Sequence, residues 1–291
     1  MQGKRPSTIE TYCARLQTVL YDLHDNNIRK LSDLKSQDIY AVFEKSRDKL
    51  NFSTYVKSFL KYLFNNGLNA SDLSLIVPSM RRPKLVPSIY SDDEINLLLS
   101  EIDRKTLMGM RDYAVVLLAW RLGMRSGDIL NLKIDNINFE ARTIEFTQQK
   151  TLVPQRLELL PEIEDALFKY LSNDTNRYGS PYIFLSLVAP YNPLAKCAVN
   201  NIVNKYFKKA NIDTKNRKHG GHALRMTLAS ELVAENVPYD VVRKIMGHED
   251  PESIQRYVKF DIKMLRRCAL EVPLPTGLLA EKLLILGGEV Q

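Results

Sequence analysis

The chain has 291 residues, of which 45% are hydrophobic and 26% charged, a composition typical of a globular protein long enough to form two domains. It contains no apolar run of about 18 residues, and its N-terminus lacks the apolar core of a signal peptide, so we expect a cytoplasmic protein rather than a membrane or secreted one. The net charge of +7 favours an anionic partner, although many basic proteins bind no nucleic acid.

The first 86 residues contain most of the excess positive charge, with 14 lysines and arginines against 8 aspartates and glutamates. Hydrophobic residues recur there at helical spacing over 6–24, 36–50 and 52–67, and the last of these segments ends at Asn-Asn-Gly. We therefore predict a helical domain over residues 1–86. Composition alone favours a DNA-binding domain no more than a solvated helical bundle.

The periodic pattern is lost from about residue 75 to 90, where three prolines flank a basic cluster. Prolines favour an extended chain, so this segment is predicted to be a linker. Arg81, Arg82 and Lys84 lie in it, and a basic linker could follow a phosphate backbone. These three residues are candidate DNA-binding residues.

A second domain is predicted over residues 87–291. Ser91 is followed by three acidic residues, which is typical of a helix start, and residues 109–122 are apolar nearly all round, which indicates a buried helix. That helix leads into Arg125, at a corner between helices that is flanked by glycines. Such a side chain can be directed at a ligand, although an arginine at a corner is more often simply exposed.

Two short strands are predicted over 143–147 and 155–160, joined by a turn that carries Lys150. The pattern is typical of a β-hairpin with a lysine near its tip. Such a lysine could reach a neighbouring groove, but an exposed turn lysine is the commoner case. Together with further helices predicted over 162–172 and 195–209, these strands indicate a mainly α protein with a small β-sheet (α+β).

The histidine-rich part of the chain begins at residue 218. His222 and Arg225 are three residues apart on a predicted helix and should therefore face the same way. A second helix, over 239–246, is predicted to stop at Gly247, so that His248 lies just past its end. After Tyr257, residues from about 276 to 287 form a leucine stripe that predicts an amphipathic helix with no obvious partner nearby.

No metal site or cofactor is predicted. Cys13, Cys197 and Cys268 are scattered and form no CxxC pair, which indicates neither a disulfide framework nor a zinc site. His219 and His222 could in principle bind a metal, but no acid or thiol at suitable spacing completes the set.

Each polar residue has an ordinary explanation when taken alone, but their order along the chain is informative. The segment RLGMRSGDILNLKIDNI resembles the first arginine box of the tyrosine recombinases, a family that includes phage integrases, chromosome-dimer resolvases and transposon integrases. HALR at 222–225 matches the His-x-x-Arg motif of that family, MGHED matches its Gly-His motif, and KT at 150–151 lies where the family has its hairpin lysine. The resemblance implies six catalytic residues: Arg125, Lys150, His222, Arg225, His248 and Tyr257.

The resemblance covers residues from about 90 to 260 by motif, and the N-terminal helical domain by position and character only. It implies a core-site DNA-binding domain over 1–86 and a catalytic domain over 87–291, whose C-terminal helix is exchanged between protomers. The expected partners are double-stranded DNA with a specific core site, three further copies of the chain in a homotetramer on that DNA, and in some systems an accessory or partner recombinase. The expected location is the cytoplasm, in association with the nucleoid.

The implied reaction needs these residue types. Attack on a phosphodiester builds negative charge on the non-bridging oxygens, and the guanidinium groups of Arg125 and Arg225 can bind such oxygens with fork geometry. Tyr257, the implied nucleophile, has an ordinary pKa of about 10 and needs a base, for which His222 is the candidate. His248 would donate to the phosphate. Lys150, as the implied general acid, would protonate the leaving 5′ oxygen.

Two departures from the family pattern are visible. Asp128 occupies a position where the family usually has glutamate, and Met226 one where it often has histidine. Neither position makes or breaks bonds, but the support of the two arginines could differ. Two other functions share these features: a type IB topoisomerase, which would act as a monomer, and a DNA-binding regulator without catalysis, which the intact set of six residues disfavours.

Overall fold

The computed structural model describes residues 6–80, 88–175, 177 and 179–247. These residues are mostly helical with one small three-stranded sheet, which confirms the predicted fold class. The chain divides into two compact units, Met1–Leu85 and Val86–Gln291. Several predicted features lie outside the described residues: Arg81, Arg82, Lys84, His248, Tyr257 and the helix at 276–287.

The described part of the first unit, residues 6–80, contains three α-helices: α1 (Pro6–Asp25), α2 (Ser36–Lys45) and α3 (Lys49–Asn65). Their buried faces form one hydrophobic core, because apolar residues recur every three or four positions along each helix. The largest of its fully buried side chains are those of Phe52, Ile39 and Leu63.

The prediction that the second helix reaches residue 50 is wrong, since α2 ends at Lys45. Ser46 is extended, with φ −69° and ψ 124°, and Asp48 starts a new helix by accepting the backbone N–H of Asn51 at 3.2 Å. Aspartate competes well for free backbone donors at a helix start, so a cap interrupts the otherwise helical pattern.

The second unit contains seven α-helices among its described residues: α4 (Asp92–Ser100), α5 (Leu107–Trp120), α6 (Ser126–Leu130), α7 (Pro161–Asn173), α8 (Ala198–Lys209), α9 (Gly221–Ala234) and α10 (Tyr239–Ile245). Helix α5 is central and packs against α7, α8 and α9. Its residues 114–119 are fully buried, which explains why the segment is apolar all round. None of the described helices is long and apolar enough to cross a membrane.

The sheet has three antiparallel strands in sequence order: β1 (Ile137–Asn138), β2 (Thr143–Thr147) and β3 (Pro154–Glu158). Strand β1 was not predicted, because two residues are too few to show an alternating pattern. Thr147 pairs with Pro154, which leaves a connection over 148–153. This connection carries Lys150, as the hairpin pattern predicted, and we call it the lysine loop.

Candidate active site

Arg125 lies where the buried helix α5 gives way to the short helix α6. Gly123 permits the turn because it adopts φ +56°, a left-handed conformation that favours glycine. A β-carbon at this position would also lie 2.5 Å from the Met246 methyl group. The turn leaves Arg125 half-buried at the N-terminal end of α6.

The guanidinium of Arg125 contacts two segments that are distant in sequence. Its Nη1 donates to Oε1 of Gln148, at the start of the lysine loop, and its Nη2 donates to the carbonyl of Gly247 at 3.0 Å. Gly247 lies two residues after the end of α10 and precedes His248. Arg125 therefore links α6, the lysine loop and the chain that leads into the Gly-His motif.

Arg225, 100 residues further along the chain, contacts the neighbours of the residues around Arg125. It lies on α9, is buried to 4% exposure, and donates through Nη1 to the carbonyl of Gly123 and through Nη2 to the carbonyl of Met246. A buried charge is unfavourable unless it is hydrogen-bonded, and these two carbonyls supply acceptors. The structure thus brings Arg125 and Arg225 together around residues 123 and 246–247.

Asp128, the departure from the family pattern, connects α6 to the lysine loop. Its buried carboxylate accepts the backbone N–H of Gln149 at 2.7 Å. Burial raises the pKa of Asp128, while the Gln149 N–H and the charges of Arg125 and Arg225 act in the opposite direction. The shorter acid therefore supports the backbone next to Lys150.

Lys150 is exposed in the lysine loop. The loop is closed by two backbone hydrogen bonds, from Gln148 N to the Val153 carbonyl at 3.0 Å and from Leu152 N to the Gln148 carbonyl at 2.9 Å. Within the described residues, no hydrogen bond joins the Lys150 side chain to Arg125 or Arg225. The loop is instead connected to Arg125 through its first residue, Gln148, whose side chain accepts a hydrogen bond from the guanidinium.

The two described histidines of this region have different surroundings. His222 is exposed in the first turn of α9, and its neighbour one turn later, Arg225, is buried. His219 is also exposed, and its Nδ1 is 2.7 Å from Oδ1 of Asn204. Within the described ranges, no group of three His, Cys, Asp or Glu residues could hold a metal ion.

Residues 217 and 218, just before α9, form hydrogen bonds with residues 90 and 94 near the start of the second unit. Arg217 forms two hydrogen bonds with the Glu94 carboxylate, at 2.6 and 3.0 Å, and its guanidinium lies over the Tyr90 ring at 3.9 Å. Tyr90 in turn donates its hydroxyl to the carbonyl of Lys218 at 2.9 Å. These contacts fix the chain a few residues before His222.

We expect Glu94→Gln to lower the free energy of unfolding by about 1.5–3 kcal/mol at pH 7, because hydrogen bonds to a charged group contribute about that much. The hydrogen bonds from Arg217 lower the pKa of Glu94 below its ordinary 4.5. The contribution of the carboxylate is therefore complete above that value and is lost as the pH falls through the lower pKa of the folded state.

Urea denaturation of both proteins checks this expectation. The difference should be constant between about pH 7 and 5 and should shrink only below about pH 4.5. Glu101→Gln, an exposed position at the end of α4, serves as the matched control and should leave stability unchanged. Equal stability of Glu94→Gln and the wild type at pH 7 would contradict the assigned contact.

Sequence reasoning missed Gln148. Along β2 the side chains of Ile144 and Phe146 face inward, and Gln148 continues this alternation two residues later as a buried polar group. A glutamine at an inward-facing position is unusual, because a buried amide needs partners. That pattern was the signal available in the sequence.

Comparisons with known proteins agree with the motif analysis. Residues 89–264 match the profile of the Phage integrase family. The chain is 30% identical over 252 residues to y4rA of Sinorhizobium fredii, which carries the name integrase/recombinase, and the alignment covers 84% of this chain and 61% of y4rA. The chain thus spans about three fifths of the length of that relative.

A second relative matches over most of both chains. Tyrosine recombinase XerA of Pyrococcus horikoshii is 26% identical over 272 residues, which is 91% of this chain and 87% of XerA. Among solved structures, a lambda integrase dimer bound to a COC′ core site has a TM-score of 0.68 at 16% identity and covers 88% of this chain and 89% of the other. At this identity the likeness shows a common fold.

Proposed function

This chain belongs to the phage integrase family, and on that premise we propose that it is a site-specific tyrosine recombinase that cleaves and rejoins DNA through a covalent 3′-phosphotyrosine intermediate and a Holliday junction. The reaction would serve integration, excision or dimer resolution. The proposal is supported by relatives named integrase/recombinase and tyrosine recombinase, and by the fold shared with DNA-bound integrases.

One observation carries the proposal. Arg125 and Arg225 are 100 residues apart in sequence, yet their guanidinium groups donate to adjacent carbonyls, those of Gly247 and Met246. Two fixed cations at one place are what a phosphodiester needs in its transition state, when negative charge grows on the non-bridging oxygens. A guanidinium carries five N–H donors in a rigid planar fork, a geometry that matches the oxygens of a phosphate.

The proposed cleavage step accounts for each proton. The Tyr257 hydroxyl oxygen attacks the phosphorus and its proton passes to His222, while His248 donates to a non-bridging oxygen. The bond to the 5′ oxygen breaks, and that oxygen takes a proton from the Lys150 ammonium, since expulsion of a bare alkoxide is costly. A 5′ hydroxyl from a second DNA strand reverses the step without ATP, because the phosphotyrosine retains the energy of the broken bond.

The direct test is the covalent adduct. A DNA duplex with a nick near the cleavage site loses the short 5′-hydroxyl strand after cleavage, so the adduct accumulates. We expect the wild-type chain to become covalently attached to such a substrate, at the 3′ phosphate and through tyrosine. Absence of an adduct on every fragment of a genomic DNA library would overturn the proposal.

We expect Lys150→Ala to reduce cleavage by about 10²- to 10⁴-fold, the usual contribution of general acid catalysis. Lys150 is exposed, so its removal should leave stability unchanged. A substrate with a 5′-thiol leaving group needs no proton, because a thiolate leaves readily, and should restore much of the lost rate. The measurement is single-turnover cleavage of both substrates.

Lack of rescue by the 5′-thiol would argue against the general-acid role. Lys133→Ala is the matched control, because that lysine lies outside the lysine loop, near Tyr182. We expect it to cleave both substrates at the wild-type rates.

The remaining assignments complete the proposal. Residues 1–86 would bind the core site, with Arg81, Arg82 and Lys84 on the phosphate backbone, and the helix at about 276–287 would join four copies on two duplexes at the nucleoid. Gel filtration of the complex with DNA tests the assembly. A strictly monomeric complex that relaxes any plasmid would instead support a type IB topoisomerase.

A further inference from the structure

We propose that Gln148 is a positioning residue, which orients the Arg125 guanidinium for the phosphate and couples it to the lysine loop. The inference rests on the proposed function and adds to it a residue that the motif resemblance does not include. It also assigns a role to a buried amide that the proposed cleavage step does not use.

The oxygen end of the amide makes two hydrogen bonds. Gln148 is buried to 2% exposure, and its Oε1 accepts from Nη1 of Arg125 and from the hydroxyl of Thr151 at 2.5 Å. Both partners are donors in these contacts, so they determine which end of the amide is the oxygen. The orientation of the side chain is therefore set by its own neighbours.

The nitrogen end of the amide lies against Gly247. A β-carbon at position 247 would come within 1.9 Å of Nε2, so only glycine permits this approach. Gly247 is also the residue whose carbonyl accepts from Arg125. Gln148 and Gly247 thus contact each other, and each supplies an acceptor that orients the plane of the Arg125 guanidinium.

The backbone of Gln148 links this arrangement to Lys150. Its N–H donates to the Val153 carbonyl and its carbonyl accepts the N–H of Leu152. Both hydrogen bonds join Gln148, the first residue of the lysine loop, to the last two residues of that loop. The backbone of Gln148 is therefore held in the lysine loop while its side chain binds Arg125. A displacement of that side chain would change the position of Arg125 relative to the loop.

The physical argument concerns orientation. A guanidinium binds two phosphate oxygens only when its plane is correctly placed, and a fork held by two acceptors loses less rotational freedom when the phosphate arrives. At metal sites, residues that orient a functional group by hydrogen bonding contribute about 10- to 100-fold to activity. We expect an effect of the same size here.

Gln148→Met is the test variant, because methionine has a similar length and removes both polar atoms without leaving a large cavity. In single-turnover cleavage of the nicked substrate at saturating protein, we expect the rate constant to fall by about 10- to 100-fold. DNA affinity and the fraction of protein that reacts should stay within about twofold of wild type. A loss confined to that fraction or to affinity would indicate a merely structural role and overturn the proposal.

The 5′-thiol substrate separates the two groups that Gln148 contacts. If Gln148 acts through Arg125, the loss persists on the thiol substrate, since the phosphate charge must still be stabilised. If the loss disappears there, Gln148 acts only on the Lys150 loop, and the assignment to Arg125 is wrong.

Thr151→Val keeps the inference testable if Gln148→Met does not fold. Thr151 is partly exposed, and valine has nearly the same size. The substitution removes the Thr151 hydroxyl, which is one of the two donors to Oε1 of Gln148. We expect a smaller loss, about 3- to 10-fold, in the same rate constant. If Gln148→Met does not fold, an unchanged rate constant in Thr151→Val overturns the proposal.

Gln155→Met is the matched control. This glutamine lies on β3 of the same hairpin, is partly exposed, and donates to the neighbouring Pro154 carbonyl rather than to an arginine. We expect wild-type cleavage. If the wild-type chain itself forms no adduct, the proposed function fails, whereas a wild-type adduct with full activity of Gln148→Met contradicts this inference alone.

Discussion

Tyr257→Phe is expected to bind its DNA site normally and to form no covalent adduct. The substitution removes one oxygen atom, the proposed nucleophile, and leaves the aromatic ring in place. Without that oxygen no side chain of the proposed site can form the phosphodiester link to the 3′ end, and a lost nucleophile typically costs 10⁴-fold or more, about the largest effect a single residue can have.

The measurement is gel electrophoresis of the nicked DNA substrate under denaturing conditions, with DNA affinity measured in parallel. Tyr239→Phe is the matched control, because Tyr239 begins α10 and is exposed. It should form the adduct at the wild-type rate. An adduct in Tyr257→Phe would disprove the assignment of the nucleophile, and normal binding would show that the loss is chemical.

Arg225→Ala is expected to reduce cleavage by about 10²- to 10³-fold, the usual effect of removing one donor from a developing negative charge. It should also destabilise the second unit, because Arg225 is buried and donates to the carbonyls of Gly123 and Met246. A buried carbonyl without a donor costs about 1–3 kcal/mol, so the free energy of unfolding should fall by at least about 2 kcal/mol.

Urea denaturation and single-turnover cleavage measure these two effects separately. Arg121→Ala is the matched control, since Arg121 is an exposed residue paired with Glu162 on the surface. Exposed pairs contribute about 0–1 kcal/mol, so that variant should be nearly as stable as wild type and fully active. Wild-type stability of Arg225→Ala would contradict the buried contacts, and wild-type cleavage would remove Arg225 from the proposed site.

Much of the fold could be predicted because the period of hydrophobic residues is a local property. The buried helix predicted at 109–122 is α5, and the strand predicted at 143–147 is β2. Helix α10 ends at Ile245, one residue before the predicted end, and Gly247 adopts φ +56°, as expected of a glycine just past a helix. Helix ends were less predictable, since the end of α2 depends on a cap at Asp48 that competes with helical propensity.

For the candidate site, the sequence motifs named some of the residues that lie close together and did not name others. The resemblance of the motifs to a family named Arg125, Lys150, His222 and Arg225 as candidates, and the types of these residues suit phosphoryl transfer. It did not name Gln148. The amide of that residue gains a role only through contacts with Arg125 and Gly247, which are far from it in sequence.

The sequence by itself determined that this chain is a mainly helical member of a DNA-recombining family, since periodicity and motif spacing are properties of the chain alone. Only the tertiary structure decided that Arg125 and Arg225 bind the same short segment before His248. It also decided that Gln148 connects Arg125 to the lysine loop and that Asp128 connects α6 to the same loop. The physical reason is that a hydrogen bond depends on distance and direction in space. Arg125 and Gly247, which are 122 positions apart in sequence, meet only when the core around α5 has folded.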